Sequence, residues 1–126
     1  MRGMQNTIPQ TAFLRGSDFR RTYNERILPY EAVRAKFRQF MHAKRQDPKQ
    51  QWGPSDRAFV GNAPLGHVPG LRHAHITPDI SIVYRVINNT IFLYGFYTHD
   101  DLGTGTPAKI VKQKAAAAKF QNTKFG

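Results

Sequence analysis

Apolar side chains recur along this chain in two rhythms, one helical and one typical of strands. Between residues 30 and 46, Val33, Phe37, Phe40 and Met41 fall at i, i+4, i+7 and i+8, which places them on one face of a helix. A shorter stripe of Phe19, Tyr23 and Ile27 predicts a helix capped by Ser17-Asp18 that runs to about Arg26 and is broken by Leu28-Pro29. From residue 71 the period falls to two and β-branched residues accumulate. Residues 71–76, 80–87 and 90–97 read as strands. The turn Thr77-Pro78-Asp79 joins the first two, and Asn88-Asn89, which tolerates positive φ, makes a two-residue hairpin between the last two. The intervening stretch 47–70 is rich in Pro, Gly, Gln and Asn and reads as loop, with a short strand at Arg57-Ala58-Phe59-Val60. A last helix is expected over 108–120, with Pro107 at its first position.

The hairpin sets a register: Ile87 opposite Thr90, Tyr84 opposite Leu93 and Ile82 opposite Gly95. One sheet face then carries Ile80, Ile82, Tyr84, Val86, Ile91, Leu93 and Tyr97. The other carries Val83, Arg85, Ile87, Phe92, Tyr94 and Phe96. Both faces are largely apolar, so helices are expected on one, and a ligand or partner on part of the other. The expected fold is α+β: helices first, then a twisted, mainly antiparallel sheet, then a C-terminal helix. One domain spans 11–120, with a flexible arm over 1–10 and a flexible tail over 121–126.

Charge narrows the class. Nineteen Lys and Arg oppose eight Asp and Glu, a formal net charge of +11, which makes nucleic acid the first partner to consider. Anionic lipid or an acidic protein comes next. The main helix carries Arg34, Lys36, Arg38, Lys44 and Arg45 with no acid between Glu31 and Asp47, a face suited either to phosphate or simply to water. The absence of cysteine excludes disulfides, thiolate metal sites and cysteine nucleophiles. No apolar run approaches the roughly 18 residues of a membrane span, and the first residues lack a signal-peptide core, so a cytoplasmic protein is expected.

The candidate chemistry lies on the strand rims. His73 and His75, two apart in a strand, share a face, and His99 follows the end of the third strand. Asp79 sits in the turn after His75, while Arg72 and Arg85 could meet a phosphate. Such a set suits RNA cleavage by general acid and base without a metal. It also permits a three-ligand metal centre, in which the His73/His75 pair is completed by His99 or Asp79, or histidines that are plain polar residues on the surface.

The run Leu71-Arg72-His73-Ala74-His75-Ile76-Thr77-Pro78-Asp79, then Tyr84-Arg85, then Thr98-His99 resembles the C-terminal half of the RelE/YafQ-type mRNA interferases, toxin endoribonucleases of toxin–antitoxin systems, and most of all the YafQ-like branch. The resemblance covers residues 62–103. It implies a RelE-like fold and metal-independent cleavage of mRNA, on the ribosome or off it, with no cofactor. His75, His99 and Asp79 match positions associated with catalysis, and Arg85 is expected to stabilise charge on phosphorus. Arg72, His67 and His73 would support substrate binding, with Lys109 and Lys112 from the last helix. Two departures stand out. Ala63 replaces a loop histidine, with His67 nearby as its substitute, and the aromatic residue after the final Thr-His is missing. Base stacking is therefore expected from Tyr94, Tyr97 or Trp52. Residues 104–126 extend beyond the usual end of such toxins. An acidic antitoxin is the implied protein partner. The alternative is a non-enzymatic regulator on the same fold that binds RNA, ribosomes or a host protein.

Overall fold

The computed structural model describes residues 10–59 and 63–126, so the expected N-terminal arm and Val60 lie almost wholly outside the described residues. Five strands form one sheet: β1 (Ala12–Arg15), β2 (Arg57–Ala58), β3 (Leu71–His75), β4 (Ile80–Ile87) and β5 (Thr90–Thr98). Their order across the sheet is β1-β5-β4-β3-β2, with β1 parallel to β5 and every other pair antiparallel. Helices α1 (Phe19–Arg26) and α2 (Glu31–Gln46) cover one face. A 3-10 turn (Pro64–His67), the short α3 (His99–Leu102) and α4 (Ile110–Gln121) cover the other. The fold is α+β as expected, but helices lie on both faces of the sheet. The apolar residues on both faces of β4 and β5 require that double cover.

The α2 stripe packs as its spacing predicts, with Phe37 and Phe40 buried against Phe19, Ile82, Tyr84 and Phe96. The stripe also continues one turn further than expected. Lys44, four residues after Phe40, is only 1% exposed. Its ammonium donates to Asp56 Oδ2 at 2.7 Å and to the Gln50 carbonyl at 2.7 Å. Lys44 therefore does not belong to the basic outer face with Lys36 and Arg38. Asp56 is the hub of this buried polar cluster. It accepts from the Tyr84 hydroxyl, from the Trp52 N–H at 2.8 Å and from Arg72 at 3.4 Å. Burial opposes its ionisation, but the hydrogen bonds from Lys44, Tyr84 and Trp52 prevail and hold the carboxyl below its ordinary range.

The hairpin closes through Asn88, at φ 55°, and sets Ile87 opposite Thr90 and Tyr84 opposite Leu93 as predicted. Beyond that pair the register shifts. Val83 faces Gly95 and Ile82 faces Phe96, so Tyr94 is an extra residue in a β-bulge. A one-residue insertion exchanges the two faces for everything after it. Phe96 thus packs under α1 and α2, and Tyr97 packs under α4, the reverse of the expected assignment. Gly95 makes the bend: at φ 156°, an added Cβ would lie 2.9 Å from Thr22 Oγ1 and 2.9 Å from the Tyr97 hydroxyl.

Three further expectations change. Asp18 makes no side-chain cap at α1. It instead accepts from Tyr97 at 3.0 Å and pairs with Lys119, tying α1 to α4. Pro107 precedes α4 by three residues and so does not occupy its first position. The residues after Gln121 do not fray. Arg15 and Gly126 exchange backbone hydrogen bonds at 3.0 Å, and the Phe125 ring packs edge-on against Phe92 and Tyr94. This closure pairs with the C-terminal end of β1, a strand the apolar pattern did not reveal.

Candidate active site

On β3 the period of two separates Leu71, His73 and His75 from Arg72 and Ala74. The first set faces α4, and the second faces α2. Cross-strand pairing puts Arg57 of β2 directly beside His73. Two residues further back, Ser55 Oγ accepts the His75 backbone N–H at 3.0 Å, anchoring the end of β3. The loop carrying Ser55 and Arg57 is pinned between them by buried Asp56.

His99 is the first residue of α3, and a reciprocal cap holds it there. Thr98 Oγ1 accepts the Asp101 N–H at 3.0 Å, and Asp101 Oδ2 accepts the Thr98 N–H at 3.0 Å. Arg26 reaches across from α1 to the same carboxylate at 2.6 Å. The helix ends at Gly103, at φ 72°, where an added Cβ would strike the Lys109 carbonyl. Only glycine allows the chain to fold α4 this closely against α3.

These supports bring His75 and His99 together, with ring centroids 5.2 Å apart and planes at 76°. His73 follows at 6.3 Å from His75 and stacks on Phe59 at 4.4 Å. The three imidazoles line one groove of about 390 Å³ between the β2–β3 edge and the α3–α4 corner, with Arg57, Phe59 and Gln113. Burial drives the His73 pKa down from 6.5 to about 4, with His75 and Arg57 adding to the effect. The His75 pKa also lies below 6.5, first through burial, then through His99 and Arg57. Both imidazoles are consequently neutral near pH 7. In such a set a neutral imidazole can accept a proton from a hydroxyl, a protonated imidazole can donate one to a leaving oxygen, and the arginine can offset charge on an anion. Among the described residues, no group of three His, Cys, Asp or Glu is placed to hold a metal ion.

The other predicted residues lie elsewhere. Arg85 stands opposite Leu71 while His75 stands opposite Ser81, which puts Arg85 about 13 Å along the strand from His75. Its guanidinium lies over the Phe92 ring instead. Arg72 is on the opposite sheet face, bonded to the Asp56 carbonyl at 3.0 Å and to Tyr84. Asp79 is exposed in the β3–β4 turn, where its N–H donates to Thr77 Oγ1 at 3.2 Å. It does not line the groove. His67 lines a separate cleft with Ile110 and Lys114, so it does not replace the missing loop histidine; Ala63, at that position, does line the groove. Tyr94 and Tyr97 are core residues packed on Phe120, and Trp52 packs edge-on against Phe40 in the cluster under α2, so none of the three lines the groove. Lys109 and Lys112 both clamp Asp100, at 2.8 and 2.6 Å, and hold its pKa at about 2.

Arg57, Phe59 and Gln113 were missed as site residues. The signal for Arg57 was the short strand read at 57–60, whose pairing to β3 puts its side chain beside His73. Gln113 carried a different one: it is the polar member of an otherwise apolar stripe with Ala116, Ala117 and Phe120.

No protein-family model matches the chain, and no curated protein matches it in sequence. Solved structures do. The E. coli DinJ-YafQ toxin-antitoxin complex contains a chain 16% identical to this one, with a TM-score of 0.57 over 75% of this chain and 98% of the other. YafQ from E. coli strain BL21(DE3) is 14% identical, with a TM-score of 0.52 over 74% of this chain and 98% of its own. A copper-bound mutant toxin from Helicobacter pylori is 21% identical, with a TM-score of 0.52 over 73% and 98%. The chain therefore has the YafQ-like toxin fold, and about a quarter of it lies outside the shared part.

Proposed function

We propose that this protein is an endoribonuclease of the toxin type, cleaving RNA without a metal. The observation that carries the reading is the His75–His99 pair, held 5.2 Å apart in a groove that also contains Arg57, on the fold of the YafQ toxin. His75 is the base. It takes the proton of a ribose 2′-OH, and the freed oxygen attacks the adjacent phosphorus. The bond from phosphorus to the 5′-oxygen breaks, and His99 donates a proton to that oxygen. The products are a 2′,3′-cyclic phosphate and a 5′-OH. Arg57, rather than Arg85, offsets the charge that builds on the phosphorane. Asp79 is left with a role in the turn.

The +11 net charge supports RNA as substrate, with or without the ribosome, and an acidic protein partner, and the likeness to a toxin-antitoxin complex supports an antitoxin in that place. The cytoplasm is the compartment in which such a protein meets both. Ala63 in place of a fourth groove histidine favours the second reading, an RNA- or ribosome-binding protein without turnover.

Incubation with mRNA in EDTA, with and without translating ribosomes, separates the two readings. Cleavage ending in 2′,3′-cyclic phosphates, lost in both His75→Ala and His99→Ala, is the expected result. Binding without cleavage under either condition supports the second reading, and cleavage that EDTA abolishes points to a metal centre instead.

A further inference from the structure

We propose that the groove holds a nucleobase and that Gln113 reads it: the ring lies against the Phe59–His73 pair, and its exocyclic amino group donates to Gln113 Oε1. This rests on the RNA reading above and names the subsite that selects the cleavage position.

Two independent features of the groove support it. The first is Gln113 itself, which is 5% exposed on the buried face of α4 and lines the groove. Its Nε2 donates to the Gly103 carbonyl at 3.0 Å, which settles which end of the amide is which. Among the described residues, Oε1 is left buried with no donor. An unmet buried carbonyl is costly, and native structures seldom retain one without a use. The neighbouring buried positions on α4 are Ala116, Ala117 and Phe120, so packing alone would be served by an apolar side chain. A ligand N–H satisfies the orphan oxygen.

The second feature is the aromatic pair. Phe59 and His73 stack at 4.4 Å with planes 28° apart, and both remain partly exposed in the groove. Flat π-faces accept any base, so this wall supplies affinity without choice. The uncharged state of His73 leaves the wall free of ammonium-like hydration. Choice then falls to Gln113 Oε1, which is buried without a partner among the described residues. An acceptor favours bases with an exocyclic amine, cytosine over uracil and adenine over hypoxanthine, by about tenfold for a single hydrogen bond. A groove of about 390 Å³ is within the range of small-ligand sites, roughly 300–1,000 Å³.

The test uses uncleavable 2′-deoxy trinucleotides that differ only in the central base, titrated into the full-length protein while the His73 and His75 ring C–H signals are followed by NMR. The expected result is about tenfold tighter binding of cytosine than uracil and of adenine than hypoxanthine. Gln113→Leu removes the preference, and Phe59→Ala weakens all four alike. Equal affinities in the wild type, absence of binding, or a preference retained in a folded Gln113→Leu overturns the inference. Cleavage mapping on mRNA distinguishes this failure from that of the nuclease reading. Cleavage with no base preference removes the subsite and keeps the nuclease, while amine-selective binding without cleavage does the reverse.

Discussion

His75, at the end of β3, and His99, at the start of α3, meet edge to face with their ring centroids 5.2 Å apart. Neither residue's element creates this contact alone. β3 is held at that end by Ser55 Oγ, and α3 by the Thr98–Asp101 cap with Arg26 behind it. The pair is thus preorganised by backbone and second-layer contacts, which is what acid–base chemistry across one phosphate requires.

The location of the arginines makes a sharp contrast. Arg57→Ala is expected to lower RNA cleavage by about 10²–10³-fold, the usual cost of removing a charge-stabilising donor. Arg85→Ala, about 13 Å along the strand from His75, should leave the rate within a few-fold of wild type. Single-turnover rates on one RNA substrate measure both, and equal losses would break the assignment.

The acidic limb of the pH–rate profile should fall below pH 6.5. The base works as neutral imidazole, so activity is lost as pH drops through the lowered pKa of His75. Burial contributes most to that shift, followed by His99 and then Arg57. Removing either neighbour relieves repulsion of the imidazolium, so His99→Gln should raise the His75 pKa toward 6.5 in an NMR titration. A downward movement would contradict the geometry.

His73 links stability to pH. Its pKa is 6.5 unfolded and about 4 in the folded groove, so the unfolded chain binds more protons between those values. Its contribution is complete above about pH 6.5 and is lost as pH falls toward 4. Urea midpoints across that window should decline, and His73→Phe should flatten the part of the decline that His73 causes. An unchanged slope would show that the imidazole is not desolvated.

The Lys44–Asp56 pair offers a test away from the groove surface. Lys44→Met leaves a carboxylate at the centre of the buried cluster without its buried cation and with only the longer Arg72 contact at 3.4 Å, a loss of about 3–5 kcal/mol by urea denaturation. Asp56 also anchors the loop carrying Ser55 and Arg57, so cleavage by the folded variant should fall as well. Stability unchanged within about 0.5 kcal/mol would mean that the pair is exposed to water.

Much of this protein is legible in its sequence because the signals involved are local. The α2 stripe, the Asn88-Asn89 hairpin and the alternation on β3 follow from residue spacing, and they place His73 and His75 on one face. The basic charge and the resemblance of residues 62–103 singled out His75 and His99. Tertiary structure decided what spacing cannot express. The bulge at Tyr94 exchanged Phe96 and Tyr97, because one inserted residue reverses every later side chain of a strand. Lys44 turned inward because Asp56, twelve residues away, supplies the partner that makes its burial tolerable. Arg57 replaced Arg85 in the groove because the pairing of β2 with β3, made across a loop, determines which cation stands beside His73. The sequence by itself determined which residues could carry the chemistry, and long-range pairing decided which of them meet.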